Sequence, residues 1–79
     1  MKTALEQAGR KLDACIEKVN SSSLISEDTR QFLIHQSVIY AGAISDFIEN
    51  RIEAVGTQVA VVIEGVDQFC QLINQELAS

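Results

Sequence analysis

Apolar and small residues recur at alternating steps of four and three along more than half of the chain, from Ile34 to Ile73. Such steps average 3.5 residues, the repeat of a helix that packs along one side on another helix. A single helix of this length would span roughly 60 Å at about 1.5 Å per residue. Because that is too long for a compact chain of 79 residues, we expect the stretch to fold back or to pack on another chain. The positions of this long seam are Ile34, Val38, Ala41, Ser45, Ile48, Ile52, Val55, Val59, Val62, Val66, Phe69 and Ile73.

Residues 3–20 predict a first helix with one narrow apolar stripe. Short polar residues then interrupt the pattern at positions 20–23, where their side chains compete with helical hydrogen bonds. Ser26 is the predicted N-cap of the second helix, with Glu27 and Asp28 in its first turn, where negative charge suits the helix dipole. So short a connection predicts an antiparallel helical hairpin. The stripe of the first helix consists of Leu5, Ala8, Leu12, Cys15 and Val19.

The second helix is predicted over residues 26–55 and carries a second apolar row beside the long seam. A helix that is apolar on two sides is buried on two sides, and the narrow first helix covers only one of them. We predict that the long seam faces the first helix. The second face is then left for the C-terminal segment or for another chain. The second row consists of Leu33, Tyr40, Phe47, Ala54 and Val61, with Ile44 between its members.

A patch of small residues lies in the middle of the second helix, between larger apolar side chains. One interpretation is a close approach by another helix of the same chain. The other is a crossing point for a partner helix, anchored by the larger side chains, since aromatic anchors are typical of interfaces. We predict contact with a second chain, not with the chain's own first helix. The predicted partner interface consists of Tyr40, Ala41, Gly42, Ile44 and Phe47.

The C-terminal third begins at Gly56, where the second helix has its natural break. The β-branched run at 57–63 is the best strand candidate in the sequence. However, no second run of this kind exists to pair with it, and the long seam continues through it. We therefore predict a third helical segment that reaches about residue 77. Because the chain has no proline, the sequence leaves open whether the second and third helices are continuous at Gly56.

These elements predict an all-α fold: an antiparallel helical hairpin plus a third helical segment, in one domain over residues 1–79. A domain this small buries only about 60% of the surface of its unfolded chain. We therefore expect a small helical bundle that is completed by oligomerisation or by a partner.

The formal net charge is −5, and no Lys or Arg follows Arg51. Direct binding to nucleic acid needs clustered positive charge, so this balance argues against it and permits a basic protein partner. No apolar run approaches the roughly 20 residues of a membrane span, and the N-terminus does not have the pattern of a signal peptide. We expect a cytoplasmic protein whose thiols stay reduced.

Few residues are candidates for chemistry. His35 is the only histidine; the interpretation as a phosphoryl acceptor competes with a solvated surface imidazole, which we favour. Cys15 and Cys70 fall among apolar positions and are predicted to be core residues. No Glu-x-x-His motif, zinc-type cysteine cluster or phosphate-binding glycine loop is present. We therefore expect no catalysis, no cofactor and no metal.

The functional prediction is a non-catalytic protein–protein interaction module, of the type of a small regulatory, antagonist or secretion-chaperone protein. Its partner is another protein, a second copy in a homodimer, or both, because its apolar helical surface exceeds what one narrow helix covers. One alternative is a structural subunit that only self-assembles. Another is an acidic inhibitor that occupies a basic or nucleic-acid-binding site.

Overall fold

The computed structural model describes residues 2–53 and 55–78, and over those ranges it contains three α-helices and no strand. α1 spans Lys2–Ser21, α2 spans Glu27–Ile48 and α3 spans Gly56–Ala78. The prediction of an all-α fold is confirmed. The β-branched run at 57–63 lies inside α3, as predicted. Val59 is buried and Val62 and Ile63 pack against the core, and this packing overrides the local strand propensity.

A short turn joins α1 to α2, and the predicted cap is confirmed. The Ser26 hydroxyl accepts a hydrogen bond from the Thr29 backbone N–H at 3.2 Å, and Ser26 itself has extended backbone angles. Arg30 in the next turn reaches back to α1. Its guanidinium donates hydrogen bonds to the carbonyl oxygens of Val19 and Ser22 at the C-terminal end of α1. Hydrogen bonds at the start of α2 and at the end of α1 thus fix the turn between the two helices.

The second helix ends earlier than predicted, at Ile48 instead of residue 55. Asn50 has a φ of 59°, in the left-handed region. The Arg51 N–H donates to the Asp46 carbonyl at 2.9 Å, and the Asn50 N–H donates to the Phe47 carbonyl at 3.3 Å. These are the two bonds of a Schellman motif, in which asparagine substitutes for the usual glycine.

This early end settles the relation between the second and third helices. They are not continuous, and the break precedes Gly56, which opens α3 instead of interrupting a helix. The long seam is therefore divided between two separate helices, and its members Ile52 and Val55 lie exposed in the connection between them. Ala54, which the second apolar row included, lies outside the described residues.

The helices run up, down and up, so that α1 and α3 are parallel. Lys11 on α1 forms an ion pair with Asp67 on α3 at 2.5 Å, and the Cys70 thiol lies 3.8 Å from the Lys11 carbonyl oxygen. α1 packs on α2 and on α3 more extensively than those two helices pack on each other. The first helix thus packs its buried stripe against both of the other helices.

The core contains the whole predicted stripe of α1, which is confirmed. In α3 the seam positions also contribute to the core, with Val62 partly buried and the others buried. In the second predicted helix, however, the prediction that the long seam faces α1 is wrong for Val38, which is 62 % exposed, and for Ile52, which is 46 % exposed and lies beyond the end of α2. The buried core residues are Leu5, Ala8, Leu12, Cys15, Val19, Leu33, Ile44, Phe47, Val59, Val66, Phe69, Cys70 and Ile73.

None of the three helices combines the length and the apolar content that crossing a membrane requires, over the residues that the structure describes.

Candidate protein-interaction site

Two of the five predicted interface residues lie in the core of their own chain. Ile44 is 4 % exposed and Phe47 is 5 % exposed. Ile44 lies against α1, since a methyl group added at Gly9 would be 3.9 Å from its Cγ2 atom. The prediction that Ile44 avoids the first helix is therefore wrong. The physical reason is that the buried face of α2 follows the second row, with Leu33, Ile44 and Phe47 inside, whereas no long-seam residue of α2 is fully buried.

Tyr40 is half-buried between α2 and α3. Its ring lies 5.5 Å from the Phe69 ring, centroid to centroid, and the two planes are tilted by 40°. The same ring covers Gly65, where an added Cβ would approach a ring carbon to 3.0 Å. Only glycine fits there without a shift of the ring, so this position joins α2 to α3 through a close aromatic contact.

The remaining two predicted residues, Ala41 and Gly42, are exposed. Ala41 borders a cleft of about 250 Å³ between α1 and α2, which Gly9, Asp13 and Glu49 also line. An added Cβ at Gly42 would meet no atom within 4 Å. The five predicted residues are thus spread around α2 instead of forming one patch, and their contact with a second chain stays a prediction.

A larger apolar cleft opens between α2 and α3 on the side away from α1. Its volume is about 420 Å³, and none of its lining residues belongs to α1. A neighbouring hollow along the same two helices is lined by Tyr40, Val61, Gly65 and Gln68, among others. The lining residues of the larger cleft are Ala43, Phe47, Ile52, Thr57, Gln58, Val61 and Val62.

Three exposed apolar side chains extend this cleft along the two helices, and with the exposed lining residue Val61 they make a set of four. Ile39 precedes the cleft residue Ala43 by one helical turn, and Phe32 precedes Ile39 by two turns. On α3, Leu72 lies three turns beyond Val61. The four side chains are 50–69 % exposed. We call this surface the α2–α3 groove; it is formed by Phe32, Ile39, Ala43, Val61, Gly65 and Leu72.

Sequence reasoning missed most of the groove. It placed Phe32, Ile39 and Leu72 in neither apolar row, although Phe32 and Ile39 are seven residues apart and so lie on one side of a helix. This spacing was the available signal. This signal is weak because Phe32 and Ile39 are adjacent in sequence to members of the two apolar rows, which account for the pattern without them.

The larger cleft is lined by uncharged residues, and the neighbouring hollow has one acidic side chain in its lining. Glu64 lines the hollow beside Tyr40. Arg51, in the α2–α3 connection, donates hydrogen bonds to the carboxylates of Asp46 and Glu49. The Asp46 hydrogen bond is the main cause that raises the pKa of the Arg51 guanidinium, so this cation is already paired with anions.

The groups capable of chemistry are dispersed in the part of the chain that is described. There, no three His, Cys, Asp or Glu side chains come together in a way that would hold a metal ion. His35 is exposed on α2. The prediction that the protein is not an enzyme stays a prediction.

The two thiols are both buried and free. Burial, assisted by a contact with the Cys15 thiol, raises the pKa of the Cys70 thiol from an ordinary value of 9.0 to about 12. The folded chain therefore holds the Cys70 proton more tightly than the unfolded chain does. This contribution to the free energy of unfolding is complete below pH 9.0 and decreases as the pH rises towards about 12.

We expect Cys70 to resist alkylation in the folded chain at about pH 8, because the thiolate is the reactive form. Iodoacetamide followed by peptide mass spectrometry measures this. In urea Cys70 becomes reactive, which provides the control for reagent activity. Equal rates of Cys70 modification in native buffer and in urea would contradict the buried placement.

No protein-family model matches the chain, no curated protein matches it, and no solved structure matches it.

Proposed function

We infer that the chain is a non-catalytic protein–protein interaction module, and that a helix of another polypeptide chain binds in the α2–α3 groove. One observation carries this proposal: Phe32, Ile39, Val61 and Leu72 present large apolar side chains along an open cleft. Burying such side chains contributes roughly 25 cal/mol for each Å² removed from water. A module of this kind acts as a regulator, an antagonist or a secretion chaperone according to its partner.

The arrangement of the helices supports a helical occupant. α1 already packs on both other helices, whereas α2 and α3 pack less on each other. The open side between them therefore has the shape of a bundle that lacks one helix. A helix added there would lie between α2 and α3, opposite α1, and would complete a four-helix bundle.

Photocrosslinking in cells tests this proposal. A benzophenone amino acid is placed at Ile39 or at Val61, and at Lys18 on α1 as the matched exposed control. We expect the two groove positions to crosslink to one and the same polypeptide species, and the control position to leave that species unlabelled. A second copy of the chain counts as such a species.

Two results would overturn the proposal. In one, Ile39 and Val61 give no crosslink while the chain remains helical by circular dichroism. In the other, the control at Lys18 captures the same species with the same yield, which would show that the capture does not depend on the groove.

A further inference from the structure

We propose that the occupant of the α2–α3 groove is a basic amphipathic helix of another protein, about three to four turns long. This inference rests on the proposed function and adds the charge, the length and the origin of the partner. Its support comes from the spacing of the groove residues, the shape of the groove floor and the charges around it.

The length follows from the apolar rows. Phe32 to Ala43 and Val61 to Leu72 each cover twelve residues, or eleven residue-to-residue steps, which is about 16 Å of helix at about 1.5 Å per step. In each row the apolar residues are separated by steps that fit the seven-residue repeat of a helix seam. A partner helix that matches both rows needs about 11–14 residues, with one apolar stripe at the same repeat.

The floor of the groove favours bulky apolar side chains on that stripe. Ala43 is small, and at Gly65 the Tyr40 ring, which also contacts the Phe69 ring, covers the backbone and forms the floor of the groove. At the end near the α2–α3 connection, the cleft of about 420 Å³ is open and apolar. Large side chains of a partner can fill this cleft, as the central anchors of interfaces do.

The charge follows from the two helices that form the groove. Residues 27–78 contain eight acidic side chains and two basic ones, whereas residues 2–21 contain three acidic and four basic. Both basic side chains in residues 27–78 are engaged: Arg30 pairs with Glu27 and with carbonyl oxygens of α1 and the turn, and Arg51 pairs with Asp46 and Glu49. Asp67 pairs with Lys11 of α1. After these ion pairs an excess of acidic side chains remains, which includes Asp28 and Glu64. The groove therefore offers an approaching helix an acidic surrounding.

This charge also distinguishes a basic partner from a second copy of the chain. A second copy that docked groove to groove would bring two such acidic halves together, and like charges across an interface oppose binding. Lysine or arginine beside the apolar stripe of a partner would instead face carboxylates such as Glu64 and Asp28, which lie on the exposed side of α3 and at the start of α2.

A pair of synthetic peptides tests the proposal. Both peptides have about 14 residues and the same leucines at the two apolar positions of each heptad. They differ only in the residues beside the stripe, which are lysine in one and glutamate in the other. Fluorescence anisotropy of each labelled peptide is measured against the full chain at about 10 mM salt, where charges act over about 30 Å.

We expect the lysine peptide to bind at least about tenfold more tightly than the glutamate peptide, and this ratio to fall as salt is raised. The double variant Ile39→Gln with Val61→Gln should lower the affinity of the chain for the lysine peptide by about tenfold or more. Val38→Gln, an equally exposed position outside the groove, is the matched control and should leave the affinity unchanged. Glu64→Gln should lower the affinity for the lysine peptide, whereas Glu17→Gln on α1 should leave this affinity unchanged.

The proposal is overturned if the lysine peptide does not bind at about 1 mM, if both peptides bind equally, or if the groove variants have no effect. It is also overturned if sedimentation equilibrium shows a dimer that the Ile39→Gln and Val61→Gln changes dissociate, since the occupant is then a second copy. In that last case the photocrosslinks at Ile39 and Val61 persist, so the proposed function stands while the basic partner is excluded.

Discussion

Phe47→Ala is expected to lower the free energy of unfolding by about 3–5 kcal/mol, the usual loss when a buried phenylalanine is truncated. Phe47 is 5 % exposed and packs in the core of its own chain. A domain of this size has a total stability of only about 4–12 kcal/mol. The variant should therefore lose much of its helix content at room temperature. Urea unfolding followed by circular dichroism measures the change, and sedimentation of both chains shows whether the parent was a monomer.

Phe32→Ala provides the matched control, because it removes the same side chain from the same helix at an exposed position. We expect its free energy of unfolding to stay within about 0.5 kcal/mol of the parent, as for most surface substitutions. If Phe47→Ala proves no more destabilising than Phe32→Ala in a monomeric chain, the placement of Phe47 in the intrachain core is wrong.

Arg30→Ala is expected to lower the free energy of unfolding by about 1.5–3 kcal/mol, the range for hydrogen bonds of a charged group. The Arg30 side chain is 18 % exposed. It donates to carbonyl oxygens of Val19 and Ser22 that face the end of α1. Removing the guanidinium leaves these carbonyls with fewer donors and weakens the connection between α1 and α2. Thermal and urea unfolding by circular dichroism measure the loss.

Arg51→Ala is the control for the charge itself. Arg51 also makes ion pairs, with Asp46 and Glu49, but about half of its side chain is exposed. Exposed ion pairs contribute about 0–1 kcal/mol. A loss for Arg51→Ala that equals the loss for Arg30→Ala would show that removal of positive charge, and not the bridge to α1, governs stability.

The hairpin could be predicted from the sequence because its signals are local. The stripe of α1 has one period and one face, and every member of it is buried. The cap at Ser26 needs only a hydroxyl side chain at the start of a helix, which the sequence displays directly. For the same reason the helical state of 57–63 was predictable, since the seam spacing passes through it.

The end of α2 and the orientation of its buried face could not be predicted in the same way. Asn50 adopts the left-handed conformation that usually marks glycine. Asparagine takes this position less often than glycine, so a single asparagine inside a continuing apolar repeat is only a weak signal for the end of a helix. The orientation depends on two neighbours at once. Because α2 touches both α1 and α3, its inward direction is a compromise between them, and spacing along one helix does not contain that information.

The parallel course of α1 and α3 has a consequence for the growing chain. The ion pair of Lys11 with Asp67 closes a loop of 56 residues, whereas α1 and α2 are joined by the short turn at 22–26. Loop-closure entropy increases with length, so the hairpin is the less costly unit to form. During synthesis from the N-terminus, the side of α1 that finally holds Asp67 and Cys70 stays uncovered until α3 has been made. A nascent hairpin therefore exposes a second apolar surface, distinct from the groove, and this surface is exposed only while translation is incomplete.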